Sequence, residues 1–469
     1  MDVLRQTAIF VSCNNPYSTP MHSILRIFIF AMALIAATGH AATISFTPTD
    51  ASRMPVTIKP DASSGLNDIF VLFSTSGVEA SYKAASANVR WLKFSNLGGG
   101  YAQEVATERN GSDVSIKLET EDMGYIIEDG DARYYFWVTN YANHYASLQA
   151  LTFDPEQDCD RTRMRLQGNA GRITYYTING QGRQLDRQIK VEYHTLTYDE
   201  NSEMYVQTDA SETEPYIDGT FGVPAPLCDT EFTITADCFL RAWGLEQKAT
   251  SELFTATAVD AHVSATQDEN ASDNQQKVET DGLGGSAPVN ITFKAAVSDA
   301  AVYHEWELSR NAEFDIIDDR YRDLEFNYSF RENGTTYVRF VADNANGSCP
   351  YTSETFEIFV GESSLLCPNA FSPGASEGVN DEWKVSYKSI VSFECHIFNR
   401  WGQKMATLTD PSQGWDGKYK GKLVPAGAYY YVIKATGSDG KKYNKAGDIN
   451  IIRARANNAS PEQGGSTTE

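Results

Sequence analysis

The chain has 469 residues, and 39 Lys or Arg against 62 Asp or Glu give it a formal charge of -23, with 41% hydrophobic and 22% charged residues. That composition excludes a disordered chain, and at roughly 150 residues per domain it predicts about three domains rather than one small fold. So acidic a chain is not built to grip nucleic acid, because phosphate binding depends on Lys and Arg displacing counterions.

Residues 1–20 read as neither a targeting segment nor a fold, and Met21 opens a secretory pattern, so Met21 is taken as the true start. Arg26 supplies a positive n-region, Ile27 to Ala37 supply eleven apolar residues, and Gly39 and Ala41 supply the small residues before a cut. The leader is therefore 1–41, with a signal peptide at 21–41. Its apolar run is shorter than the ~20 residues of a membrane span, so the chain is expected to be exported and not membrane-spanning. Cys13 precedes the signal, leaving Cys159, Cys228, Cys238, Cys349, Cys367 and Cys395. An even number suits disulfides in an oxidising compartment, and Cys228 and Cys238 stand where a hairpin would join them.

Past the leader, short alternating runs rich in Tyr, Val, Thr and Phe, punctuated by Gly, Asn and Asp, predict an all-β chain of several immunoglobulin-like β-sandwich domains in tandem. The first sandwich is expected at 42–145, around Trp91 and the run Tyr134 to Tyr141. In that run Tyr135, Trp137 and Tyr141 are read onto one face, opposite Tyr134, Phe136 and Val138. Exposed, those three rings would stack on a sugar or anchor a protein. A second sandwich is expected at 146–262, with strands at 173–178, 189–193 and 232–239, and the polar stretch 263–284 reads as a linker.

Residues 285–362 alternate around Trp306 and again over Val338, Phe340 and Ala342. With the Tyr303-His304-Glu305-Trp306 strand and the closing Asn344-Ala345-Asn346-Gly347 turn, this stretch resembles a PKD-like immunoglobulin module. Glu305 and Glu307 are read as solvent-facing charge. His304-Glu305 lacks the second His that a zincin helix needs, since Leu308 occupies that position. The acidic stretch Thr197 to Gly219 matches no calcium-binding loop. No catalytic constellation, metal site or cofactor is expected.

The last region, 363–455, carries an ordered series of motifs. Pro368, Asn369, Phe371 and Pro373 come first, then Asn380 and Asp381, then Asn399, Arg400, Trp401 and Gly402. Trp415, Asp416 and Gly417 follow, then Gly427, Tyr429 and Tyr431, and Gly447 opens the final strand. The series resembles the gliding motility-associated C-terminal domain of Bacteroidota, the type B sorting domain of the type IX secretion system. The resemblance implies passage through the periplasm to the cell surface or medium, with the type IX translocon as partner. The residues themselves predict a small sandwich in which Phe393, Cys395 and Ile397 share one face, the glycines turn the chain, and Trp401 and Trp415 cap the ends. A departure from the family pattern is the loop Gly374 to Val379, and 456–469 adds a polar tail.

Charge sets this module apart: residues 367–455 hold 13 basic and 8 acidic side chains, a net of +5, whereas 42–366 carries -27. The expected function is that of a non-enzymatic exported surface protein, a cargo of the type IX system whose immunoglobulin-like domains serve adhesion or surface structure toward an unidentified protein or glycan. The alternative is a secreted carbohydrate-binding protein using the Trp137 face.

Overall fold

The computed structural model describes residues 44–47, 50, 52–269, 272–374, 378 and 380–452. The predicted signal peptide and the polar tail lie outside the described residues. The chain forms two compact units, one running through Thr197 and resuming over Val206–Ala258, the other holding Tyr198–Tyr205 and everything from Val259 onward. Nearly all regular structure is strand, as the alternating sequence predicts.

The first unit opens with a sandwich of a four-stranded and a six-stranded sheet. At the centre of the larger sheet, Ala132–Asn140 runs parallel to Asp68–Leu72 and antiparallel to Met123–Asp129. Successive side chains point to opposite faces, and here both faces are covered. Phe136 and Val138 join Trp91 and Tyr125 inside the sandwich. Trp137 turns the other way, joining Ile69, Val71, Phe94 and Ile126 in a core shared with Ile173, Ile189, Phe232 and Phe239. A strand apolar on both sides is thus a central strand with a neighbour on each face.

That neighbour is a second sandwich. Its main sheets are Ser147–Phe153, Arg161–Asn169 and Thr220–Pro224, and the four-stranded set Met204–Glu214, Ile189–Asp199, Thr233–Ala236 and Gln247–Thr250. A short helix, Cys238–Ala242, follows the third strand of that set, and the Asp237 side chain caps it by accepting the Leu240 N–H at 2.9 Å. The hairpin disulfide expected of Cys228 and Cys238 is not formed, and both are buried thiols. Strand Thr233–Ala236 runs between them. Cys238 instead directs its thiol to the Asp186 carbonyl at 3.6 Å.

In the second unit, Trp306 is fully buried among Phe293, Phe326 and Phe340, with ring centroids 5.5, 5.8 and 5.0 Å away. Val338, Phe340 and Ala342 are buried with it. Two expectations are corrected. The segment read as a linker carries strand Ala261–Gln267, which pairs antiparallel with Val289–Val297. Its alternation was hidden because the inward positions are the small residues Ala261, Val263 and Ala265. Glu307 is buried rather than solvent-facing, because Arg339 donates to it at 2.7 and 2.9 Å and Arg320 lies 3.3 Å away. A carboxylate is tolerated there because it is paired.

Candidate functional site: the C-terminal module

The last sandwich is built on a five-stranded sheet in the order Ala370–Phe371, Lys442–Ile451, Gly427–Gly437, Ile390–Phe398, Lys404–Leu408. Phe393, Cys395 and Ile397 form its inward row, and Tyr429, Ile433 and Ile449 complete the core.

The predicted motif residues converge here. The Pro368 carbonyl accepts the Trp383 indole N–H at 2.7 Å. The Asn369 carbonyl accepts from the Asn450 backbone and side chain at 2.8 and 3.2 Å, which lays the next two residues parallel to the final strand. Phe371 is buried 5.6 Å from the Trp415 ring. Gly417 has φ +69°, and a Cβ there would lie 3.1 Å from Pro373 Cγ and 3.2 Å from Phe371 Cζ. The glycine therefore meets both a backbone and a packing requirement. Asp381 closes the preceding loop by accepting the Gly374 and Gly378 N–H groups at 2.8 and 2.7 Å. Asn380 sits at φ +54°, and its carbonyl accepts the Ser372 N–H at 2.9 Å. Both Asp381 oxygens thus serve the loop. Among the described residues no group of three or more His, Cys, Asp or Glu side chains is placed to hold a metal.

Trp383 and Trp415 exchange backbone hydrogen bonds at 2.9 and 3.0 Å, and both are buried. Trp415 stands 5.2 Å from Tyr429, and Trp383 stands 5.1 Å from Tyr431. Asp416 accepts from the Lys418 N–H at 3.0 Å and ammonium at 2.8 Å. Burial pushes its carboxyl up, but the Lys418 bonds outweigh that and hold it below the usual carboxylate range. Gly427, at φ +141°, begins the strand that carries the tyrosines. A Cβ at Gly447 would come within 2.6 Å of the Tyr431 hydroxyl, so this glycine makes room for that ring. Burial, then its hydrogen bond with Cys367, pushes the Tyr431 hydroxyl up to about 12. Burial likewise pushes the Cys395 thiol up to about 12.

One motif behaves otherwise. Asn399 organises a tight turn: its side-chain oxygen accepts the Trp401 and Gln403 N–H groups at 3.0 Å, and Gly402, at φ +79°, donates to its carbonyl at 3.0 Å. Arg400 stacks on Trp401 at 4.5 Å. The expectation that Trp401 caps one end of the sandwich is overturned, since it is 76% exposed, whereas Trp415 is buried. A polar stretch also belongs to the module unexpectedly. Asn274 donates to the carbonyls of Val385 and Pro411 at 2.7 and 2.8 Å. Its own carbonyl accepts the Tyr387 N–H at 3.1 Å, and Gln276 donates to the Tyr387 carbonyl at 2.7 Å. Nothing local in the sequence marked Trp383 or Asn274, whose partners are found only in the folded chain.

The second predicted site is not a surface. Trp137 and Tyr141 are buried, Trp137 lies 5.6 Å from Tyr176, and Tyr135 is partly buried against the same core. Tyr141 opens a 3-10 turn, and its hydroxyl donates to Asp237 at 3.0 Å.

A fibronectin type III family model matches residues 152–251. Among solved structures the chain is similar to the tetra-tandem repeat in the extending region of a large adhesion protein, at 9% identity over 81% of this chain and 96% of that one, with a TM-score of 0.22. It is also similar to Sidekick-1 immunoglobulin domains 1–5, at 10% identity, 80% and 77% coverage and a TM-score of 0.23. The fibronectin(III)-like modules of Clostridium thermocellum CbhA match at 12% identity, 41% and 96% coverage and a TM-score of 0.17. Likenesses this distant carry no argument about function. No curated protein matches the chain. Residues 365–451 match the CHU_C type IX secretion signal domain, the family that their ordered motifs resemble.

Proposed function

We propose that this is a non-enzymatic surface or secreted protein, exported by the type IX system on the strength of its C-terminal module, whose upstream sandwiches serve as adhesive or structural units. The observation that carries the reading is the convergence of Pro368, Phe371, Asp381, Trp415, Gly417 and Gly447 on one closed sandwich matched by a type IX signal domain. Burial of Trp137 and Tyr141 removes the support for the glycan-binding alternative. The test is surface proteolysis of intact cells of a host with a type IX system, comparing the full chain with one ending at Gly361. Protease sensitivity of the full chain, with the shortened one held in the periplasm, is expected. Equal surface exposure of both would overturn the reading.

A further inference from the structure

Trp401 is a large apolar side chain that the fold holds out into solvent. Its turn is tied by five hydrogen bonds that involve Asn399 and Gln403, so the ring is displayed on a fixed backbone. The strand entering the turn ends at Phe398, which lies directly across from Tyr430. Tyr430 and Val432, on the outward face of the same sheet, are 46% and 43% exposed. The Gln403 amide donates to the Tyr419 hydroxyl at 3.1 Å, which sets hairpin Lys418–Leu423 beside the turn. At this end of the module His396 lies 3.2 Å from Glu394 and Lys418 pairs with Asp416, and among the described residues no ion pair engages Arg400, Lys404, Lys420 or Lys422. Aromatic rings flanked by Arg are the residues that dominate protein interfaces.

We propose that the Trp401 turn and the adjoining Tyr430–Val432 face form the surface by which the export machinery grips the module, and that the occupant is a protein surface with an apolar recess rimmed by carboxylates. Arg400 on the ring and Lys420 and Lys422 on the hairpin beside the turn, outnumbering the exposed Asp448 across from Tyr430, call for an acidic rim, and Val432 adds aliphatic area that a sugar stacking on one ring would leave unused. This rests on the export reading above. It differs from the buried motif residues, whose substitution would block export through misfolding.

The test expresses full-length Trp401→Ala, the double variant Lys420→Glu with Lys422→Glu, and Tyr303→Ser as an exposed control in another domain, in a host with a type IX system. Surface and periplasmic fractions are quantified, and melting of each purified chain is recorded. The expected result is at least about a tenfold fall in export for Trp401→Ala and for the double variant, because truncating an anchor residue weakens an interface by at least that factor. Melting should stay at the wild-type value, and Tyr303→Ser should export normally. Normal export of Trp401→Ala overturns the surface, as does a fall in export traced to a lowered melting temperature. Normal export of the double variant overturns the acidic partner. Trp401-dependent binding of the purified chain to phosphatidylglycerol vesicles, or Trp401-dependent self-association in sedimentation, assigns the surface to another occupant and overturns the proposal. Export of the chain ending at Gly361 instead overturns the export reading itself.

Discussion

Arg187 and Asp237 form an ion pair from which solvent is excluded: Nε and Oδ2 are 2.8 Å apart, and the side chains are 1% and 0% exposed. The remaining guanidinium donors reach the carbonyls of Gly171 and His144 at 2.8 and 2.9 Å. Asp237 also accepts the Tyr141 hydroxyl, so the pair binds the 3-10 turn after the first sandwich to the helix of the second. Burial, then the Asp237 charge, raises the Tyr141 hydroxyl above its ordinary value and keeps it a donor.

Removing one partner strands the other charge in the core. Arg187→Ala is expected to destabilise the first unit by about 3–5 kcal/mol, whereas Arg187→Met combined with Asp237→Leu should cost much less. Urea unfolding of the full chain measures both. Equal losses in the two variants would show that packing, rather than the stranded charge, sets the cost.

Gly417 and Gly421 separate two effects of glycine. Both have positive φ, but a Cβ at Gly421 meets nothing within 4 Å, whereas one at Gly417 meets Pro373 and Phe371. Gly421→Ala should cost about 1 kcal/mol from backbone strain alone, and Gly417→Ala measurably more. The denaturation midpoint of the second unit reports the difference.

Asp129 carries a pH dependence of known sign. Its carboxylate accepts the Ala85 and Ser86 N–H groups at 2.7 and 2.9 Å and the Tyr82 hydroxyl at 3.2 Å. Burial pushes its carboxyl up, but these bonds outweigh it and the net shift is downward. A depressed carboxyl contributes stability that is present above the unfolded value of about 4 and is lost as pH falls through the lower folded value. Asp129→Asn is therefore expected to cost about 1–2 kcal/mol at pH 6, with the gap to wild type closing below about pH 4. Unfolding curves at pH 6 and pH 3 check it, and a gap that widens in acid would be the wrong sign.

Asn274 pins a polar segment to the C-terminal module through two side-chain bonds. Asn274→Ala should cost about 1–3 kcal/mol of local stability and speed proteolytic nicking between residues 268 and 282. Limited proteolysis with mass mapping reads this directly. Unchanged nicking would mean that the backbone bonds at Tyr387 hold the segment by themselves.

Several of these features were open to a reader of the sequence. The inward row Val338, Phe340 and Ala342, the buried Trp306, and the row Phe393, Cys395 and Ile397 follow from alternation alone, because a strand assigns every second residue to one face. The turn glycines Gly402 and Gly417 were equally legible, since positive φ is a local property. Strand Ala261–Gln267 was missed because Ala, Val and Ala make a weak apolar signal against a polar background. The Cys228–Cys238 bridge was expected from closeness in sequence alone, and both residues are thiols in the folded chain.

What the sequence by itself determined is therefore local: strand periodicity, turn positions, the acidic body set against a basic end, and the ordered motifs of the C-terminal module. What only the tertiary structure decided is which apolar surface gains a partner. Trp137 and Trp401 are both aromatic residues at or beside a strand, and one is buried against Tyr176 while the other faces water. Glu307 and Asn274 read as solvated polar residues until Arg339 and the Val385 carbonyl are brought to them. Burial is set by contacts between residues distant in the chain, and these are created by the packing of sheets rather than by the neighbours of any one residue.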